Sequence, residues 1–194
     1  MLETLYEDGV QVLSGVNFSQ RLKDHLLEKS NYERTLAEDY PGELERDRYE
    51  IAITDPSLCA AIREALPPGF REEVKNFEDV FAAVWCEEGF ALPPHRDFYD
   101  VPDALNKSLI AIIILYLCPY EFEGREFVYG KIKTRSTESM VDWSWDDPDL
   151  ETVGTITPKT GTGVIISPIN PEWWHGVRRM ESGGPVIAVS MTLY

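Results

Sequence analysis

The segment Leu109-Ile-Ala-Ile-Ile-Ile-Leu-Tyr-Leu-Cys118, closed by Pro119, decides the fold class. It is the longest apolar run in the chain, well short of the ~18 residues a membrane helix needs. Its length and β-branched content read as a buried strand. Outward from it the same texture recurs. Val80–Trp85 precedes it, and Glu126–Lys133, Thr152–Thr157, Gly163–Ser167, Trp174–Arg178 and Val186–Tyr194 follow, with Pro, Gly, Asp and Asn between them. Seven short runs of this kind predict an all-β sandwich or barrel rather than alternating βα units.

Upstream the texture is helical. Phe18, Leu22, Leu26 and Leu27 form a 3.6-period stripe, with Asn17 or Ser19 available as a cap. A second helix is predicted from Asp55-Pro56 to Leu66, stopped by Pro67-Pro68. Glu38–Arg48 reads as a loop and Arg48–Ile53 as a strand. The expected organisation is a single domain, 1–194, of α+β class but mainly β: residues 1–79 are mainly helical support and 80–194 the β core. The insert Thr137–Leu150, with Trp143, Trp145, Asp142, Asp146 and Asp147, is irregular and is a candidate lid.

At 194 residues the chain can bury a core without staples. Its net charge of −16 repels phosphate backbones, so nucleic acid is not an expected partner. Only Lys131–Arg135 and Arg178-Arg179 are locally basic, and both are short. Three cysteines, Cys59, Cys86 and Cys118, form no C-x-x-C pair and suit a reducing compartment. The N-terminus shows no basic region followed by an apolar one, so the expected location is the cytoplasm, with no membrane partner.

Only three histidines occur. In an extended chain residues i and i+2 face one side, so His95 and Asp97 of Pro93-Pro94-His95-Arg96-Asp97 point together. His175, from a distant strand, would close one face of an octahedron. Two imidazoles and a carboxylate leave three open positions, which suits non-haem Fe(II). A closed zinc site would favour thiolates that are not placed to help. On spacing alone H-x-D is weak, and histidines that are merely satisfied or exposed are the default. The joint order strengthens the metal reading: the pair precedes the long strand, and His175 follows the run Gly163–Ser167. His25 reads as a helix-surface histidine.

Taken in order, Gly89-Phe-Ala-Leu-Pro-Pro-His95-Arg-Asp97, the strand ending Leu115-Tyr116-Leu117, Gly161-x-Gly163-Val-Ile-Ile-Ser-Pro and His175-Gly-Val177 resemble the Fe(II)/2-oxoglutarate dioxygenases, in particular the small prolyl-hydroxylase-like branch. The resemblance covers Val80 to Tyr194. It implies a double-stranded β-helix (a cupin-like jelly roll) and a metal triad of His95, Asp97 and His175. It also implies Fe(II), O2 and 2-oxoglutarate as cofactors and cosubstrates. The implied reaction is hydroxylation of a C–H, with 2-oxoglutarate decarboxylated to succinate. Tyr116 matches a position whose hydroxyl contacts the cosubstrate, its other reading being a core aromatic.

Two positions depart from the family pattern. Relatives place an arginine or lysine about ten residues after the distal histidine, to pair with the C5 carboxylate of 2-oxoglutarate. Here the run Met180–Ser190 has no basic residue. Strict alternation from His175 puts Arg179 on the pocket side, a bulge would put Arg178 there, and Arg125, Lys131 and Lys133 are further candidates. Cys86 stands where many relatives carry a tyrosine. The expected substrate is a small metabolite or peptidyl side chain, and the acidic surface favours an amine-bearing one. Trp143, Trp145, Trp173 and Trp174 either wall the substrate or fill core. The rival reading is a cupin-like metal- or protein-binding module that does not turn over 2-oxoglutarate.

Overall fold

The computed structural model describes residues 5–35, 48–73, 81–96, 111–133, 143–167, 170 and 172–193. The N-terminal part holds helix α1 (Leu5–Asp8), strand β1 (Val10–Ser14), helix α2 (Gln20–Leu26), strands β2 (Glu33–Thr35) and β3 (Arg48–Ile53), and helices α3 (Pro56–Ala65) and α4 (Pro68–Glu73). The β-rich part holds β4 (Phe81–Cys86), β5 (Leu92–His95), β6 (Ala111–Leu117), β7 (Phe122–Gly124), β8 (Phe127–Ile132), β9 (Leu150–Ile156), β10 (Thr162–Ile166), β11 (Trp173–Val177), β12 (Met180–Gly183) and β13 (Val186–Leu193).

Each expected strand that falls on described residues is present, with ends displaced by a residue or two. The expected loop Glu38–Arg48 lies outside the described residues except for Arg48, which opens β3. Both expected helices form for the reasons read from sequence. Ser19 caps α2 by accepting from the Leu22 amide, and Leu22 and Leu26 are fully buried. Asp55 caps α3, accepting from the amides of Ser57 and Leu58, with Pro56 in the first turn. The N-terminal part is less helical than its sequence suggests, because β1, β2 and β3 join the large sheet.

All pairings are antiparallel. The large sheet has seven strands in the order β1-β10-β6-β13-β4-β3-β2, and the small one four, β5-β11-β8-β9. Strands β7 and β12 form a separate pair. From β4 onward the chain winds back and forth between sheets, so that β4, β6, β10 and β13 lie in one layer and β5, β8, β9 and β11 in the other. This is a double-stranded β-helix of mainly β class, with helices to one side. Among the described residues no helix is long and apolar enough to cross a membrane.

The large sheet is asymmetric in burial. Its helix-side residues, among them Ala83 on β4, Ile113 and Leu115 on β6 and Ile187 and Val189 on β13, are 0% exposed and pack with Leu22, Ile62 and Leu66. Its other face, turned to the small sheet, carries Ile112, Ile114, Val84 and Ala188, all only partly buried. Cys86, Tyr116, Val164, Ile166 and Val186 on that same face are buried, so a second hydrophobic cluster lies between the two sheets.

Candidate metal and cosubstrate site

His175 lies in the middle of β11 and His95 at the end of β5, and the two are direct cross-strand partners. Their ring centroids are 4.5 Å apart with planes tilted 59°. Phe127 of β8 stacks on His175 at 5.4 Å and 21°, which turns the imidazole toward the inter-sheet space, where Phe127 is buried with Tyr116 and Val177. His175 is 7% exposed. The Nδ1 of His95 lies 2.7 Å from the Pro93 carbonyl, which can only accept, so Nδ1 carries the proton. With Nδ1 donating to this carbonyl, Nε2 is the ring nitrogen that would ligate a metal.

Asp97 lies outside the described residues. Among those described, no three His, Cys, Asp or Glu side chains are grouped closely enough to hold a metal. His25 of α2 is remote from this pair, against Asn31.

The wall around the histidines is aromatic. Tyr129 of β8 is the cross-strand partner of His175, and its ring is 6.2 Å from that of Trp173. A Cβ at Gly154, which faces Tyr129 on β9, would come within 2.6 Å of the phenol, so glycine there is what lets the ring lie flat against the strand. Trp173 and Trp174 are 7% and 2% exposed, on opposite faces of β11.

The described part of the tryptophan insert does not cover the histidine pair. The Trp143 amide donates to the Pro94 carbonyl, and Trp145 packs edge-on against Trp174. Trp174 and Gly176 alternate with His175, so residues 143–149 lie along β5 and on the outer face of the small sheet.

The basic candidates separate sharply. Arg178 is exposed, its guanidinium 4.0 Å above the Trp145 ring on that same outer face. Arg179, favoured from strict alternation, is also exposed: β11 ends at Val177, so alternation no longer governs it. Lys131 and Lys133 are exposed too, Lys131 standing 5.1 Å over Trp173 and Lys133 donating to the Pro148 carbonyl. Among the described residues the buried cation is Arg125, 3% exposed, between β7 and β8.

Arg125 points into the inter-sheet space. Its Nη2 donates to Cys86 Sγ at 3.0 Å, and its guanidinium lies 5.4 Å from the Phe90 ring and 5.8 Å from the Tyr116 ring. Burial pushes the Cys86 thiol up despite Arg125, and burial likewise raises the Tyr116 phenol, so both neighbours are neutral at physiological pH. Burial opposes the charge on Arg125, but an arginine's ordinary value lies so far above neutral that the guanidinium stays protonated.

No protein-family model and no curated protein sequence matches the chain significantly. Solved structures do. A 2OG-Fe(II) oxygenase-family oxidoreductase from Burkholderia pseudomallei superposes with a TM-score of 0.61 at 13% identity, covering 99% of this chain and 88% of that one. A Pseudomonas putida prolyl-4-hydroxylase gives 0.57 at 13% identity, covering 100% of both chains. SnoK, a non-heme alpha-ketoglutarate-dependent carbocyclase from nogalamycin biosynthesis, gives 0.61 at 13% identity, covering 98% and 82%. The likeness at this identity is one of architecture, and it establishes that the chain has the double-stranded β-helix fold of the 2-oxoglutarate/iron oxygenases.

Proposed function

We propose that the chain is a single-domain Fe(II)/2-oxoglutarate-dependent oxygenase that hydroxylates a C–H bond of a small-molecule or peptidyl substrate. The observation that carries this reading is the cross-strand His95–His175 pair. Both imidazoles meet at the interior of a fold that places metal ligands there, and His95 is held as the ligating tautomer. Asp97, two residues beyond His95, is the proposed third ligand.

The donor set fits the metal. Two neutral imidazoles and one carboxylate suit iron and leave positions for a chelating oxo acid and for O2. When bound, iron with 2-oxoglutarate supplies an oxidant strong enough to cleave a substrate C–H. The chain contributes orientation and exclusion of water. Pro93 fixes the plane of His95 through its carbonyl, Phe127 fixes that of His175 by stacking, and Tyr129 and Trp173 wall the approach with apolar surface. The acidic net charge supports a neutral or amine-bearing substrate over an anionic one.

Metal analysis of the purified protein tests the reading. Reconstituted anaerobically, the wild-type chain retains iron through gel filtration, and His175→Ala does not. Equal iron in both would remove His175 from the site.

A further inference from the structure

Arg125 combines three costs that a structural residue avoids. Its guanidinium is almost completely buried and, among the described residues, has no carboxylate partner. Its Nε and Nη1 are buried without a hydrogen-bond acceptor there, and the groups its head group does meet, the Cys86 thiol through Nη2 and the Tyr116 phenol, are neutral. Its backbone sits at φ 59°, the one non-glycine residue with positive φ among those described. The strained turn is pinned from both sides. The Arg125 amide donates to the Arg179 carbonyl at 3.1 Å, and the preceding Gly124, at φ 77°, leaves no room for a Cβ beside that same carbonyl. The fold thus holds between Phe90 and Tyr116 a cation with no carboxylate partner among the described residues, with N–H donors left for a planar two-point contact.

The geometry points to a carboxylate. We infer that Arg125 anchors the distal carboxylate of a 2-oxo diacid whose other end is held at the histidine pair, in place of the basic residue that the run Met180–Ser190 lacks. This rests on the reading of that pair as a metal site. The spacing along β8 suits it. Tyr129 lies level with His175, Phe127 level with Val177, and Arg125, in the turn before β8, level with Arg179, so the backbone positions of Arg125 and Tyr129 are about 13 Å apart. The inward reach of the arginine side chain and of the imidazoles spans much of that distance, and a short-chain diacid spans the rest. Phe127, stacked on His175, forms the floor between them.

The test separates the anchor from the metal. In metal-free protein, calorimetry compares glutarate, which offers a distal carboxylate without a keto group, with butyrate, which offers one carboxylate alone. In anaerobic iron-loaded protein, it compares 2-oxoglutarate with 2-oxopentanoate, which chelates identically but lacks the second carboxylate. The expected result is a preference of about tenfold or more for 2-oxoglutarate in the wild type, the loss of one charge-assisted contact. Arg125→Gln abolishes that preference with iron content unchanged, and Arg125→Lys restores part of it. A wild type that binds the two oxo acids equally overturns the assignment, without reference to any variant. So does an Arg125→Gln protein that keeps the preference. If the wild type takes up no iron, the metal reading fails instead, and glutarate binding that depends on Arg125 would still establish the anion site.

Discussion

His95 and His175 occupy directly opposed positions on β5 and β11, and their rings meet 4.5 Å apart although 80 residues separate them in the chain. The relationship depends on register. A slip of one residue in the β5–β11 pairing would turn one imidazole to the outer face, where Trp174, Gly176 and Trp145 lie.

Replacing either histidine should remove the metal and spare the fold. His95→Ala and His175→Ala are each expected to fall from about one iron per chain to near zero, because two remaining ligands do not hold Fe(II) against water. Far-UV circular dichroism and the unfolding midpoint should stay close to wild type, since neither histidine is itself a member of the hydrophobic clusters. A histidine variant that unfolds would make the residue structural.

Arg125→Met should stabilise the ligand-free protein. The substitution keeps an unbranched side chain against Phe90 and Tyr116 and removes a buried charge that has no counter-ion among the described residues. The expected rise in Tm is a few degrees, at about 2–4 °C per kcal/mol for a chain of this size. A fall of similar size in calorimetry would show that the guanidinium contributes to the fold rather than to a ligand.

Adjacent isoleucines on β6 should respond unequally. Ile113 is fully buried against the helices, whereas Ile112 faces the inter-sheet space and is only partly buried. Ile113→Ala is expected to cost about 2–5 kcal/mol and Ile112→Ala clearly less. Urea denaturation measures both, and equal losses would contradict the asymmetry of the sheet.

Stability should decline in alkali. Burial raises Cys118 to about 11, partly offset by Arg125, and burial also raises Tyr32 and Tyr116 above the usual phenol range. Each group holds its proton more tightly folded than unfolded, so its contribution is intact below the unfolded value. For Cys118 it is lost between about pH 8.5 and the folded value of about 11. The urea midpoint should be flat from neutral pH to that onset and then fall, and Cys118→Ser should lessen the first part of the fall. A midpoint that rises through this window would contradict the burial of these groups.

How much of this was legible in the sequence follows from what each segment had to bury. Ala111–Leu117 and Val186–Leu193 are central strands, so their apolar runs announce them. The strand Leu92-Pro-Pro-His95 was invisible because two prolines argue against a ladder, and β5 tolerates them only as the edge of its sheet. Strands β1, β2, β7 and β12 are short, and their residues alternate too briefly to be distinguished from loop. The juxtaposition of His95 and His175 across β5 and β11 was legible because the chain has so few histidines to pair. Arg125 was only one candidate among several, since Glu121, Glu123 and Glu126 around it read as surface. The preceding Gly124 marks a turn, and alternation from Phe127 does not reach Arg125, because β8 begins at Phe127. Arg179 likewise lies past the end of β11, where alternation from His175 no longer holds.

The most direct test of the account is anaerobic titration of the purified protein with Fe(II) and then 2-oxoglutarate, followed by visible absorption. A weak charge-transfer band is expected on addition of the oxo acid, absent in His175→Ala and absent when succinate replaces 2-oxoglutarate. Stoichiometric iron with no band at saturating 2-oxoglutarate would contradict it, and would point to a metal-binding module of the same fold.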